Sequence, residues 1–257
     1  MSIYQHFRPE EKDFIDQVLN WLTFVEETFS PKVTDFLDPR EQYIVTSVIG
    51  SSGDVFVQFF GGFEDCERKR AIIYPSYFTP SEKDYQITLF EVFYPEKFVT
   101  IKHPELLGSL MGLGLKRGKF GDILLTDRQV QFLTCKEISD YIRLNLHKIG
   151  KTSIRIEEKP LTGAIQLVQN MEEQIYTVSS LRLDAVLSAL IRYSRQKSAL
   201  LIQQGLVKVN WKTVDQPSFL LEEGDVISAR GFGRMKILSV GEKTKKEKWR
   251  ISAGKFK

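Results

Sequence analysis

Little in this chain points to covalent chemistry. Its 257 residues include two cysteines, Cys66 and Cys135, and three histidines, His6, His103 and His147. Neither set has ligand spacing: CxxC, HxxxH and HExxH patterns are all missing, so neither a metal nor any other cofactor is expected. Two isolated thiols give no disulfide framework, which fits a reducing compartment. Cys66 lies among acids in FEDCERKR, where a thiolate is disfavoured, so it is a poor nucleophile. No run approaches 18 apolar residues, and the opening MSIYQHFRPEEKD lacks the basic-then-apolar layout of a signal peptide. The expectation is a cytoplasmic protein with no membrane partner.

Catalytic and nucleotide motifs are missing too. The chain has no G-x-S-x-G and no G-x-x-x-x-G-K-[ST]. In HPELLGSLMGLGLKRGKFGDILL, the glycines 108, 112, 114, 118 and 121 invite a dinucleotide-loop reading, but the spacing fails. Gly112 and Gly114 close a predicted helix, whereas that fingerprint opens one. The glycines read instead as a helix stop and close-packing positions. Lys116, Arg117 and Lys119 in the same segment are candidates for RNA backbone contact. The adjacent acids Glu157-Glu158 and Glu172-Glu173 read as surface charge. No catalytic residue is nominated.

What is present is an uneven charge. Residues 1–80 hold 7 Lys and Arg against 13 Asp and Glu, residues 81–180 hold 13 against 13, and residues 181–257 hold 16 against 7. The basic third is where phosphate contacts are expected. The acidic N-terminal third could instead meet a protein partner.

The basic third contains an ordered pattern. Leu183, Val186, Leu187, Leu190 and Ile191 share one face of a predicted helix, with Ser179 or Ser180 as its cap. Ser194 caps a second helix, Arg195 to Gln204, and Gly205 stops it. Strands are predicted at Leu206 to Asn210, with Lys208 outward, and at Val226 to Arg230. RLDAVLSAL, SRQKSALLIQQGLVKVN and QPSFLLEEGDVI together resemble an S4 domain, a small RNA-binding module of the αL type. The resemblance implies that the cationic face of the two helices grips the phosphates of structured RNA. It assigns that role to Arg182, Ser194, Arg195, Lys197 and Lys208, and Arg192, Asn210, Lys212, Arg230 and Arg234 lie close enough in sequence to join them. Trp211 departs from the pattern, which has Gly after Asn210. Packing, a longer turn or a stacking surface are the three readings of that departure.

Upstream, Pro9 to Phe29 reads as a helix with an apolar stripe, and Pro39 to Val48 as a second helix capped by Asp38. Strands are predicted at Val55 to Phe60 and Ala71 to Tyr74. Arg68-Lys69-Arg70 reads as phosphate contact or as a solvated connector. Between 80 and 158, strands at Gln86 to Phe93 and Lys97 to Ile101 precede a helix at Pro104 to Leu113. Strands at Asp122 to Leu125 and Gln129 to Leu133 follow, joined through Thr126-Asp127-Arg128, then a helix at Lys136 to Lys148 and a strand at Ser153 to Glu158. The order β-α-β-β-α-β is that of a ferredoxin-like (RRM-like) sandwich. No base-stacking run of the RNA-recognition-motif type is present. Between the last two units, Ile165, Val168 and Tyr176 can pack or form a strand. At the end, Met235 to Val240 and Lys248 to Ser252 pair as a hairpin with Lys243, Lys245, Lys246 and Lys248 at its tip.

GGFEDCERKRA, then HPELLGSLMGLGLKRGKFGDILL, and RGFGRMKI after the S4-like part, are together similar to the YlmH family. The expected class is α+β in three parts: a mostly helical unit at 1–79, the ferredoxin-like domain at 80–158, a connector at 159–179, and the S4 domain with a basic hairpin at 180–257. The resemblance implies a non-enzymatic RNA-binding protein on the large ribosomal subunit, with ribosomal RNA as the first expected partner and tRNA as a further candidate, in ribosome-associated quality control. The rivals are an RNA-modifying enzyme or its specificity subunit, and a cell-division adaptor. Arg182-Leu183-Asp184 resembles a pseudouridine-synthase triplet, but only about 70 residues follow. Asp184 is therefore read as a cap or as the partner of a nearby arginine.

Overall fold

The computed structural model describes residues 3–50, 53–126, 128–166, 171–244 and 246–256. Asp127, Val168 and Lys245, each singled out from the sequence, lie outside the described residues. The chain divides into two compact units, Met1–Leu167 and Val168–Lys257.

The first unit begins with helix α1 (Lys12–Thr28), entered through a tight turn at Pro9–Glu11. Ile15, Val18 and Val25 of the predicted stripe are buried. Strand β1 (Lys32–Leu37) follows, then α2 (Pro39–Ile49), β2 (Val55–Phe60) and β3 (Lys69–Pro75). Asp38 caps α2 as expected: its Oδ1 accepts from Glu41 N at 2.9 Å, while Glu41 Oε2 accepts from Asp38 N at 2.8 Å. The strands form an antiparallel sheet in the order β1-β3-β2. Strand β1 was not expected from the sequence. A bulge between Val33 and Phe36 breaks its two-residue alternation and hides the strand signal.

Next come β4 (Ile87–Phe93), α3 (His103–Met111), β5 (Phe120–Leu125), β6 (Val130–Cys135) and α4 (Ser139–Asn145). A small hairpin, β7 (Lys148–Ile149) with β8 (Thr152–Ser153), precedes β9 (Arg155–Lys159). The antiparallel sheet order β5-β6-β4-β9 is that of the ferredoxin-like sandwich. Phe90 and Phe132 stack at 5.3 Å in the core beneath the helices. The strand expected at Lys97 to Ile101 does not form. Pro95 cannot donate to a ladder, and its carbonyl instead closes a turn by accepting from Phe98 N at 3.0 Å.

The second unit contains β10 (Met171–Val178), α5 (Leu183–Ile191), α6 (Arg195–Gln203), β11 (Val207–Val209), β12 (Lys212–Thr213), β13 (Val226–Ala229), β14 (Gly233–Lys243) and β15 (Trp249–Phe256). One antiparallel sheet runs β10-β15-β14-β13-β11-β12. The terminal hairpin is thus the middle of a larger sheet, and it carries β10 on its far edge. Leu183, Val186 and Leu187 of α5 and Ile202 of α6 pack on Val207, Val209, Ile227, Ile237 and Ile251.

Candidate nucleic-acid interface

The entry to α5 sets the geometry of the S4 surface. Neither Ser179 nor Ser180 caps it. Arg182 occupies the cap position in an extended conformation, and its side chain makes no capping bond to the helix backbone. The free amide donors are satisfied by a neighbouring loop: Leu183 N donates to Phe219 O at 2.7 Å and Asp184 N to Pro217 O at 3.1 Å. The loop therefore does the work that the sequence assigned to a serine. Ser194 behaves as expected, its Oγ accepting from Lys197 N at 3.2 Å at the start of α6.

Asp184 joins the two helices. Arg182 donates from Nε and from Nη2 at 3.1 Å each to its two oxygens. Arg195 donates to the same carboxylate at 3.0 and 3.3 Å. The Asp184 side chain is 7% exposed, against 38% for Arg182 and 51% for Arg195. Burial alone would raise the carboxyl, but hydrogen bonds from the two guanidiniums outweigh it and hold Asp184 below the ordinary carboxylate range. One buried anion thus fixes two half-exposed forks, each of which keeps N–H groups for a further acceptor.

Beside this clamp, Arg192 ends α5 with φ +56°, and exposed Tyr193 follows. The Lys197 ammonium lies 5.7 Å from the Tyr193 ring, and Tyr193 meets Phe232 edge to face at 5.0 Å. Phe232 belongs to the Arg230-Gly231-Phe232-Gly233-Arg234 turn, where Gly231 (φ +87°) and Gly233 (φ +89°) supply left-handed backbone at little steric cost. Tyr193 was not singled out from the sequence. Its position in the helix–helix corner, among exposed cations, was the available signal.

Lys208, Asn210 and Arg234 do not share this face. Val207 and Val209 point into the core, so Lys208 between them lies on the opposite side of the sheet. There it aligns across strands with Ser228, Arg234 and Phe256, and Arg234 stacks over the Phe256 ring at 4.8 Å. Asn210 is buried and engaged internally: its Nδ2 donates to Asp225 Oδ1 at 2.7 Å and its Oδ1 accepts from Val226 N at 2.9 Å. That is the position of a structural anchor. Lys212 is exposed on the edge strand, and Arg230 is exposed at its turn.

In the first unit, Lys116 is exposed, but Arg117 and Lys119 are held internally. Arg117 donates to Phe120 O at 2.5 Å and to Gly121 O at 3.3 Å, and burial, with Arg68 nearby, lowers its pKa to about 10. Lys119 Nζ lies 2.7 Å from Asp35 and 3.1 Å from Glu137. Asp35, Cys135 and Glu137 are close enough together to suggest a metal site. The Lys119 ammonium already supplies the positive charge there. Burial pushes the thiols of Cys66 and Cys135 up to about 12.

Neither reading of Arg68-Lys69-Arg70 describes its two arginines. Arg68 and Arg70 are buried at 6% and 4% exposure. Arg68 donates to Phe36 O at 2.8 Å. Arg70 reaches Thr34 O at 2.7 Å and Gln86 O at 2.9 Å, tying the N-terminal sheet to the start of β4. The same seam is apolar: Phe36 and Cys66 pack with Leu89, Leu124 and Leu133 from the outer face of the ferredoxin-like sheet, and Leu161, Ala164 and Ile165 join them. Gln131 fixes that cover by donating to Gly163 O and accepting from Ile165 N. Gly121 belongs here because a β-carbon would come 2.7 Å from the Phe36 ring. This is the sheet face on which RNA-recognition motifs stack bases, and here much of it is buried under the protein's own chain.

The architecture is therefore that of an S4-domain protein with a ferredoxin-like domain. Three family descriptions match in order: "YlmH, N-terminal" at residues 10–78, "Putative RNA-binding domain in YlmH" at 80–163, and "S4 domain" at 181–227. The chain is 48% identical over 251 residues to the "Ribosome-associated protein quality control protein P2" of Bacillus subtilis, covering 98% of this chain and 97% of that one. It is 32% identical over 131 residues to "Small ribosomal subunit protein uS4" of Finegoldia magna, covering 50% and 60% of the two chains. A solved structure, "Cell division protein ylmH from Streptococcus pneumoniae", is similar at TM-score 0.55 and 31% identity, over 64% of this chain and all of that one. The chain belongs to the YlmH family and is an RNA-binding protein with an S4 domain. Among the described residues, no helix is long and apolar enough to cross a membrane.

Proposed function

We propose that this chain is a non-catalytic cytoplasmic adaptor that holds structured ribosomal RNA, and tRNA beside it, on the large ribosomal subunit during quality control. The observation that carries the reading is the Asp184 clamp, which presents two oriented guanidiniums next to Arg192, Tyr193 and Lys197. Such a face suits phosphate oxygens, which position an RNA without reading its sequence. Similarity to the ribosome-associated quality control protein of Bacillus subtilis supports a ribosomal setting. In functional terms we assign RNA contact to 180–257, with 159–179 as the connector, and support for that contact to 1–79 and 80–158. The buried outer sheet face favours the S4 surface over the ferredoxin-like sheet as the main RNA contact.

The test is the salt dependence of binding to purified large subunits. With roughly 4–6 phosphates neutralised, log K should fall against log salt with a slope of about −4 to −5. A slope near zero would refute a phosphate-based grip. Similarity to the Streptococcus pneumoniae cell division protein supports a second reading, a cell-division adaptor. Protein partners that co-purify after ribonuclease treatment would favour it.

A further inference from the structure

We infer that Trp211 is a stacking platform for an unpaired RNA base, a role that rests on the RNA-binding reading above. Strands β11 and β12 are joined by only two residues, Asn210 and Trp211, with Val209 paired to Lys212. Both turn residues have positive φ, +47° and +66°. This is the primed hairpin turn, whose second position strongly favours glycine. A bulky side chain there strains the backbone. The turn is no longer than the shortest hairpin allows, so extra length does not relieve that strain.

The main core does not account for it either. Tyr176, Phe219, Phe232 and Trp249 pack against the S4-unit core, whereas the half-buried Trp211 is not among the rings that do. The backbone beneath it is held firmly. Asn210 N donates to Val226 O at 2.8 Å, and the Asn210 amide is locked to Asp225 and Val226. The strands that flank the turn carry the exposed residues Lys208 and Lys212, one on each face of the hairpin. A rigidly presented indole on a hairpin with exposed cations suits a nucleobase on the ring with the RNA backbone held nearby. Stacking uses the π-face that every base has, so the contact selects unpaired structure and not sequence.

Stability and binding should therefore move separately at this position. Trp211→Gly suits the left-handed turn, so its melting temperature should equal or exceed that of the wild type. Its affinity for ribosomal RNA should fall about 5- to 150-fold, the range for one lost stacked base. Trp211→Phe keeps a ring and should recover most of the affinity. RNA should quench tryptophan emission in the wild type and much less in Trp211→Gly. The measurement is titration of each full-length variant with purified ribosomal RNA, followed by fluorescence, with a thermal melt of each. Wild-type-like affinity and quenching in a folded Trp211→Gly protein would overturn the stacking role and leave the phosphate grip standing. A wild type that shows no salt-dependent RNA binding would overturn both. Quenching by a protein instead of RNA would reassign the indole to a protein partner and overturn the proposal.

Discussion

Replacing Asp184 with Asn separates positioning from net charge, because the two predict opposite signs. Adding one positive unit to a phosphate-binding surface should strengthen binding. A unit charge about 10 Å from a phosphate in water is worth roughly 0.4 kcal/mol before salt screening, or at most about twofold in affinity. The geometry predicts a loss instead. Asp184 accepts four hydrogen bonds, between 3.0 and 3.3 Å, from Arg182 and Arg195. In Asp184→Asn one of the two acceptor oxygens becomes a donor that faces guanidinium donors. Both arginines then leave their fixed rotamers and must be ordered again when RNA binds. Each long side chain ordered on binding lowers affinity about two- to tenfold, so two give about 5- to 100-fold weaker binding. The assay is titration of ribosomal RNA at fixed salt, with circular dichroism used to select conditions in which the variant is folded. Unchanged or tighter binding by folded Asp184→Asn would refute preorganisation and leave only bulk charge.

Further outcomes follow from other contacts. Arg70→Ala removes a buried guanidinium from Thr34 O and Gln86 O, and should cost about 3 kcal/mol of stability in the first unit by chemical denaturation. A loss under about 0.5 kcal/mol would show that the seam does not depend on it. Ser194→Ala removes the cap of α6 and should cost about 1 kcal/mol. Because burial pushes Cys66 and Cys135 up to about 12, neither should react with a thiol reagent at pH 8 in the native state, while both should once denatured. The lowered Asp184 carboxyl contributes stability that is present above the ordinary carboxylate range and lost as pH falls through its folded value, below about pH 4. Comparing wild-type and Asp184→Asn melts between pH 5 and 8 should therefore show a constant difference. A step in that window would contradict the assignment.

The S4 unit was legible because its signals are local. The helical spacing of Leu183, Val186 and Leu187, the Ser194 cap and the alternation of Val207, Lys208 and Val209 each specify one element. The order of the ferredoxin-like domain could be read for the same reason. Long-range contacts could not. Nothing near Arg68 and Arg70 in the sequence announces that Phe36, Thr34 and Gln86 will offer them carbonyls. The cap of α5 was missed because its amides are satisfied by Pro217 and Phe219, more than 30 residues away. The division of the site residues between two faces follows from pleating, which puts Lys208 opposite the helices although the sequence groups it with them. Trp211 was visible as a departure from glycine, but the backbone angle that makes the departure costly appears only in three dimensions.

The most direct test of the account leaves the Asp184 clamp intact. Arg192, Lys197 and Arg230 are exposed on or beside the helix face. The triple variant Arg192→Glu, Lys197→Glu, Arg230→Glu and the wild type should be sedimented from cell lysate through sucrose gradients at low and high salt. Wild type is predicted to travel with large ribosomal subunits at low salt and to stay at the top at high salt, with the folded variant at the top in both. Wild type at the top of both gradients, or the variant travelling with the subunits, would contradict an S4 phosphate grip on the ribosome.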